Sequence, residues 1–519
     1  MTTVVFRCDS STQIGSGHII RCRTIARELK KRGANIKFVC RKKPGDLIGL
    51  IKKEFDTFIL GATDPRVVFK AEPRKQYQEW LGCTEEQDAT EFLNAINESD
   101  WGEVDWLIVD HYGLASKWES IVLEELRKYR DTKMMVIDDL ADRKHMANFL
   151  IDQNYFGDYT YQRYDNLIPS TCTKLLGPHY AILSQEYSQL NPIIPRREEI
   201  KRILVFFGGA DNDGLTLKTL EAVNSNKYDD IVFDIVVGMQ SLNWREIKRI
   251  TDTRTNMKVY TGLNSLAGLM ARADLAVGGC GTTTWERACL NLPSIVVTVA
   301  ENQETIAMAL HDEKWIDLIG KSSSICTKRI RETIDRHLAK KYILNDGKML
   351  TDGHGCSRIS MLLMNRNIRI SLREAVESDE ILLLGWANDT SVRNNSFNRE
   401  KISAVCHHKW FSAGLKDRNR LHYIAVNEDN CPVGQIRFDR REKSIEIDFS
   451  LDPAIRGRGI GPELLKTGLG YLKNKWGSGY NVIGNVLINN TASSKSFKRA
   501  GFSKIDSIDS TFHTWHFTL

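Results

Sequence analysis

VVFRCDSSTQIGSGHIIRCRTIARELKKRG, residues 4–33, runs from a strand-like apolar segment through a glycine-punctuated polar turn into an amphipathic helix. A buried strand followed at once by a helix is the opening move of a doubly wound parallel sheet. In such sheets ligands bind beyond the carboxyl ends of the strands, which is where this turn lies. Gly15 and Gly17 permit close backbone approach there, and the helix aims its first amides at the same place. His18 stands at the junction, where an imidazole works near neutral pH as a base or a hydrogen-bond donor. A histidine that merely caps the helix is the plain alternative, and spacing does not separate the two.

The same alternation continues outward. IKFVCR, FDTFIL, WLIVDHY, KMMVIDD and FLIDQNY are strand-sized, with helical patterns such as ASKWESIVLEELRKYRD between several of them. After the proline-punctuated stretch NPIIPRREEI, residues 191–200, a second series follows: KRILVFFGGAD, IVFDIVVG, MKVYTG, ADLAVGGCGTTTWE and PSIVVTVAENQ. From about residue 368 the pattern changes to hairpin-like strands, HYIAVNED, CPVGQIRFDRR and KSIEIDFSLD. The expected architecture is α/β: Rossmann-type domains at 1–190 and 191–350 facing one cleft, then an α+β domain at 368–519, each with its own core.

Composition agrees with this size and class. A chain of 519 residues is too long for one hydrophobic core. The net charge of +6 is small, and no long Lys/Arg block points to nucleic acid; a slight cationic excess suits anionic small ligands. Eleven cysteines occur without a C-x-x-C pair, which reads as reduced thiols rather than a disulfide framework. The N-terminus lacks a signal-peptide pattern, and no apolar run reaches the roughly 18 residues of a membrane span. A cytoplasmic protein without membrane or nucleic-acid partners is expected.

Polar residues gather at the level of His18. Asp110, His111 and Tyr112 end one strand pattern, Asp138 and Asp139 end another, and Asn154 follows a third. Each is also a natural cap or turn residue, the favoured reading for Asp138 and Asp139. In the second series, the turn at Gly279, Gly281, Thr282 and Thr283 leads into a helix carrying Glu286; free amides there suit a pyrophosphate, and Glu286 could take ribose hydroxyls. A lone G-G-x-G also arises for packing reasons, but GGxGTTTWE, NLPSIVV and ENQ, with Asn302 and Gln303, form a longer and more specific pattern.

Two α/β units with that second-half pattern resemble the GT-B nucleotide-sugar enzymes. FRCDSSTQIGSGHIIRC with VDHYG at 109–113 resembles one branch, the UDP-2,4-diacetamido-2,4,6-trideoxy-β-L-altropyranose hydrolases of pseudaminic acid biosynthesis. The resemblance covers about residues 1–350. It implies that His18 is catalytic, a base delivering water to the anomeric carbon, and that the rim and loop residues hold a UDP-sugar. UDP leaves well, so positive potential from the second unit's helix matters more than a strong acid.

In the last domain, Arg456, Gly457, Arg458, Gly459, Ile460 and Gly461 spell R-G-R-G-I-G between a strand and a helix, and NVLINNTASSKSFKRAGF follows with Asn490 and Phe497. The combination resembles the GNAT acetyltransferases and implies acetyl-CoA as acetyl donor, with Asn490 placing cofactor or substrate. Glu446 and Asp448 share a strand face just before the loop, as candidate bases or as a solvated face. Phe497 stands where many family members carry a tyrosine, so the acid for the thiolate is unassigned. Cys406, His407 and His408 read as surface or core rather than a metal site.

GWANDTSVRNNSFN, residues 385–398, resembles the start of nucleotide-amino-sugar N-acetyltransferases. The joint expectation is acetylation of a 4-amino UDP-sugar followed by loss of UDP, with other pathway enzymes as candidate partners. A GT-B glycosyltransferase with an accessory acetyltransferase, or a non-catalytic nucleotide-sugar sensor, are the alternatives.

Overall fold

The computed structural model describes residues 1–62, 74–99, 101–191, 199–209, 211–238, 241–339, 350–364, 368–442, 444–505 and 511–519. The stretch 191–200, where sequence places the first boundary, lies mostly outside them.

The first sheet contains β1 (Thr3–Cys8), β2 (Asn35–Arg41), β3 (Asp56–Leu60), β4 (Trp106–Asp110), β5 (Lys133–Ile137), β6 (Phe149–Asp152) and β7 (Thr173–Leu176). All pairings are parallel in the order β3-β2-β1-β4-β5-β6-β7. Strand β1 is buried on both faces, as its unbroken apolar run requires. Val4 and Phe6 pack with Ile19, Cys22 and Ile25 of the helix Gly17–Lys31, while Val5 packs with Phe92 and Trp118 on the other face. The strand order reverses at β1, so the β1–β4 crevice is the topological switch point. Cys8 and Asp110 are register partners at its carboxyl edge.

The second sheet contains β8 (Arg202–Phe206), β9 (Val232–Val236), β10 (Met257–Tyr260), β11 (Leu275–Gly279), β12 (Ser294–Thr298) and β13 (Asp317–Lys321). It too is wholly parallel, in the order β10-β9-β8-β11-β12-β13. Its switch point lies between β8 and β11, and Gly279 closes β11 there.

The third sheet contains β14 (Ser371–Glu374), β15 (Arg420–Val426), β16 (Pro432–Arg440), β17 (Ser444–Leu451), β18 (Asn481–Leu487), β19 (Ser503–Ile505) and β20 (Phe512–Thr518). It is antiparallel except between β17 and β18. Those two pair only over 444–446 and 481–483, and beyond Glu446 they part.

The described residues form two compact units. One comprises Met1–Gln153, Tyr161–Ile182 and His354–Leu519; the other comprises Asn154–Thr160 and Leu183–Gly353. The expectation of wholly separate cores therefore fails for the first and third sheets. The helix Gly355–Met364 buries Cys356, Ile359, Leu362 and Leu363 in the core of the first sheet, and Ala454 from the third domain joins them. Ile359, Leu362 and Leu363 each contribute roughly 1.5–3 kcal/mol on burial. Gly355 is obligatory because a Cβ would strike the Ala181 backbone.

Polar contacts complete this junction. Asp452 accepts from the Tyr180 hydroxyl at 3.1 Å, from Trp386 Nε1 at 2.8 Å and from the Ala454 amide at 2.9 Å. Arg358, fully buried, faces Asp452 at 3.4 Å and donates to the His179 carbonyl at 2.9 Å.

Candidate active sites

Ser16 precedes the helix Gly17–Lys31 without a side-chain cap, and Gly15 supplies the turn with φ of +81°. This places His18 in the helix's first turn, beside the end of β4. His18 Nδ1 lies 2.6 Å from Asp110 Oδ1. Arg21, one helical turn on, clamps the same carboxylate through Nε and Nη2, both at 2.6 Å. A second arm of Arg21 reaches Asp139 Oδ2 at 2.7 Å, and the Tyr112 hydroxyl donates to that oxygen as well. The Tyr112 ring meets His18 edge-on with centroids 4.5 Å apart.

The centre of the cluster is buried, His18 being 6% exposed and Asp110 0%, while Asp139 lies partly exposed at its edge. Burial alone would raise the Asp110 carboxyl, but Arg21 and His18 outweigh it and hold the group well below the usual carboxylate range. A carboxylate only accepts, so Nδ1 carries the proton. Nε2 is then the basic nitrogen, and among the described residues it has no hydrogen-bond partner.

The other rim residues divide. His111 accepts from the Gly113 amide at 2.9 Å through Nδ1 and turns Nε2 toward Asp9 at 3.4 Å. Burial pushes its imidazole down to about 3, so it is neutral and serves the loop's structure. Asp138 holds Arg143 at 2.6 Å and the Ala141 amide at 2.9 Å, a turn role as expected. Asp139 departs from that reading, because it belongs to the Arg21–Tyr112 cluster. Asn154 is buried and groups with the second unit. Gly17 begins the helix with open space at its Cβ position.

In the second unit, Gly281 and Thr282 are exposed ahead of the helix Thr283–Cys289, and Thr282 makes no side-chain cap. Glu286 is half-buried, but its Oε2 is closed off from solvent and has no hydrogen bond among the described residues. Burial pushes this carboxyl up to about 7, although the Tyr187 hydroxyl and Arg287 favour its anion. Gln303 Oε1 accepts from the Val299 amide at 3.0 Å, and Asn302 is exposed beside it.

In the third domain, Gly457 and Gly459 have φ of +77° and +79°, with no atom of the described residues within 4 Å of an added Cβ. Ile460 opens a 17-residue helix whose N-cap is Gly459. Gly461 is needed for packing, since its Cβ would meet Ser496 Oγ at 2.6 Å. Arg456 and Arg458 are occupied within the protein. Arg456 pairs with Asp389 at 2.6 Å, and Arg458 donates to the Leu362 carbonyl at 2.5 Å. Asn490 caps the helix Thr491–Ala500 by accepting from the Ser493 amide at 3.1 Å. Phe497 is core, packed on Phe449, Phe502 and Trp515.

Glu446 and Asp448 share an exposed face of β17 but have different surroundings. Glu446 faces Arg441 at 3.4 Å on the open surface. Asp448 lines a cavity of about 450 Å³ with Gln435, His422, Trp410, His407 and Arg393. Cys406 is exposed, while His408 pairs with Glu380 at 2.8 Å.

Residues 369–503 match the family model described as the acetyltransferase (GNAT) domain. The third domain is therefore a GNAT domain, and its acetyl donor is acetyl-CoA. The chain's own geometry fits that donor: two open left-handed glycines precede a long helix, and β17 and β18 part beside them.

The chain is 24% identical over 526 residues to an uncharacterized protein of Methanocaldococcus jannaschii, covering 96% of each. It is 23% identical over 304 residues to the UDP-2,4-diacetamido-2,4,6-trideoxy-β-L-altropyranose hydrolase of Campylobacter jejuni, covering 59% of this chain and 94% of that one. It is 21% identical over 364 residues to the spore coat polysaccharide biosynthesis protein SpsG of Bacillus subtilis, covering 69% and 96%. Among the described residues no helix is long and apolar enough to cross a membrane.

Proposed function

We propose that the chain is a bifunctional nucleotide-sugar enzyme of the cytoplasm. Its third domain acetylates the 4-amino group of a UDP-linked trideoxy sugar, and its first two domains hydrolyse the product to free sugar and UDP. The observation that carries the hydrolytic half is the His18–Asp110 contact of 2.6 Å, with Nε2 left unpartnered among the described residues. The name of the Campylobacter relative supports the substrate.

The chemistry follows from that arrangement. Water attacks the anomeric carbon and gives a proton to His18 Nε2, while the bond to the diphosphate oxygen breaks and UDP departs with its electrons. Asp110 stabilises the imidazolium so formed and fixes its orientation, and Arg21 fixes Asp110. The Gly279–Thr283 loop, Glu286, Asn302 and Gln303 would hold the UDP moiety.

In the third domain, Gly457 to Gly461 would cradle the CoA pyrophosphate. The sugar amine, once deprotonated by Asp448, attacks the thioester carbonyl; a C–N bond forms, the C–S bond breaks, and the thiolate leaves to be protonated.

Incubation with the diacetamido UDP-sugar alone tests the hydrolytic half. UDP and reducing sugar should appear in equal amounts without any acceptor. Release only when an acceptor alcohol is added would favour a glycosyltransferase instead.

A further inference from the structure

The cavity beside β17 contains an ordered polar chain with a fixed direction. His422 on β15, Gln435 on β16 and Asp448 on β17 occupy three adjacent strands and point to one face. His422 and Asp448 are both register partners of Arg437, and Gln435 lies two residues from Arg437, diagonal to each. His422 Nε2 lies 3.1 Å from Gln435 Oε1, and Gln435 Nε2 lies 2.8 Å from Asp448 Oδ1. A carboxylate only accepts, so the Gln435 amide must present its N–H to Asp448 and its oxygen to His422. His422 must then be the Nε2–H donor.

The chain has a purpose that sheet packing does not explain. Asp448 is 56% exposed at the cavity wall, and Arg437 stands 3.9 Å from its Oδ1. An aspartate so exposed would sample several rotamers, and its carboxylate would swing toward the arginine. The Gln435 hydrogen bond pins Oδ1 and leaves Oδ2 for a ligand. Burial, helped by Arg437, pushes the His422 imidazole down to about 4, so the ring is neutral and keeps the tautomer the chain needs. Among the described residues Glu446 faces Arg441 and has no such support.

We propose that Gln435 and His422 are positioning residues of the acetyl transfer, acting through Asp448: they aim its free oxygen at the amine of the acceptor. This rests on the reading of the third domain as an amine acetyltransferase. It selects Asp448 over Glu446 as the carboxylate that meets the ammonium and takes its proton.

The test uses the full chain with Gln435→Leu, His422→Phe, Asp448→Asn and the double variant Gln435→Leu/Asp448→Asn. With the UDP-4-amino sugar as acceptor, Gln435→Leu should lower kcat/KM for the amine about 10- to 100-fold and leave the KM for acetyl-CoA within about twofold. On the Asp448→Asn background the same change should cost less than about threefold. His422→Gln, which keeps a donor, should recover more activity than His422→Phe. An equal loss on both backgrounds, or a parallel rise in the acetyl-CoA KM, would overturn the proposal.

A second readout needs no acceptor. The groups facing Asp448 are Gln435 and Arg437 on β16, His422 on β15, and Arg393, Cys406 and His407 from the helical side. Crystal structures of the wild type and of Gln435→Leu should show the Asp448 carboxylate held in one rotamer in the first and spread over several in the second, because the hydrogen bond from Gln435 is lost. One and the same rotamer in both also overturns the relay. No transfer to the UDP-sugar by wild type, with the rotamer released as expected, would sink the substrate reading and keep the relay.

Discussion

His18 and Asp110 lie 92 positions apart in sequence, and the fold brings Nδ1 of one to 2.6 Å from Oδ1 of the other. The carboxylate thereby selects the imidazole tautomer whose free nitrogen is a base. Asp110→Asn should keep the shape and lose that selection. UDP release should fall about 10²- to 10⁴-fold while UDP affinity stays within about threefold, as read by single-turnover kinetics and calorimetry. Wild-type turnover in this variant would remove the dyad from the mechanism.

The same carboxylate carries a pH signature. Its folded-state pKa lies below the unfolded value, so its contribution to stability is complete above about pH 4 and is lost as pH falls lower. Chemical denaturation between pH 3 and 6 should show the first unit losing stability below about pH 4. Asp110→Asn should flatten part of that slope and be less stable at pH 7, since it leaves Arg21 buried with a weaker partner.

Glu286 carries the opposite sign. Its carboxyl is raised to about 7, so it is largely neutral at pH 6 and largely ionised at pH 8. If its anion accepts ribose hydroxyls, UDP affinity should rise about 3- to 10-fold across that interval. Glu286→Gln should bind more weakly at pH 8 and lose the rise, the comparison subtracting the ionisation of the phosphate itself. Identical pH profiles for both proteins would exclude Glu286 from the nucleotide site.

How far these sites could be read from sequence follows from distance along the chain. His18 is visible because a strand, a glycine turn and a helix are local, and Gly457 and Gly459 are visible for the same reason. Arg21 could have been found, since it sits one helical turn from His18 on the same face. Asp139 could not, because a carboxylate after a strand looks like a turn residue until Arg21 and Tyr112 converge on it. Arg456, Arg458 and Asn490 were legible as motif residues, but their contacts to Asp389, Leu362 and Ser493 needed coordinates. GCSRISMLLM, residues 355–364, is apolar enough to signal a buried helix, yet nothing in it names the first sheet as its partner.

That helix makes the first and third sheets one mechanical body. Arg358→Met should cost about 3–5 kcal/mol, because it removes the cation beside the buried carboxylate of Asp452. Acetyl transfer and hydrolysis should then fail together on heating. Loss of acetyl transfer alone, at a separate lower temperature, would contradict a shared core.

Gly459→Trp separates the two activities instead. Among the described residues nothing lies within 4 Å of its Cβ position, so the change costs only the roughly 1–2 kcal/mol of left-handed strain. Acetyl transfer should be abolished and hydrolysis of the pre-acetylated sugar kept within about twofold. Equal damage to both would show that the loop acts through the fold rather than through CoA.

UDP release by the wild-type chain from the UDP-4-amino sugar, with and without acetyl-CoA, tests the coupling of the two reactions most directly. Release should occur only when acetyl-CoA is present, with CoA appearing first. His18→Ala should release CoA normally and accumulate the diacetamido nucleotide sugar. Rapid UDP release from the unacetylated sugar in the absence of acetyl-CoA would contradict that coupling.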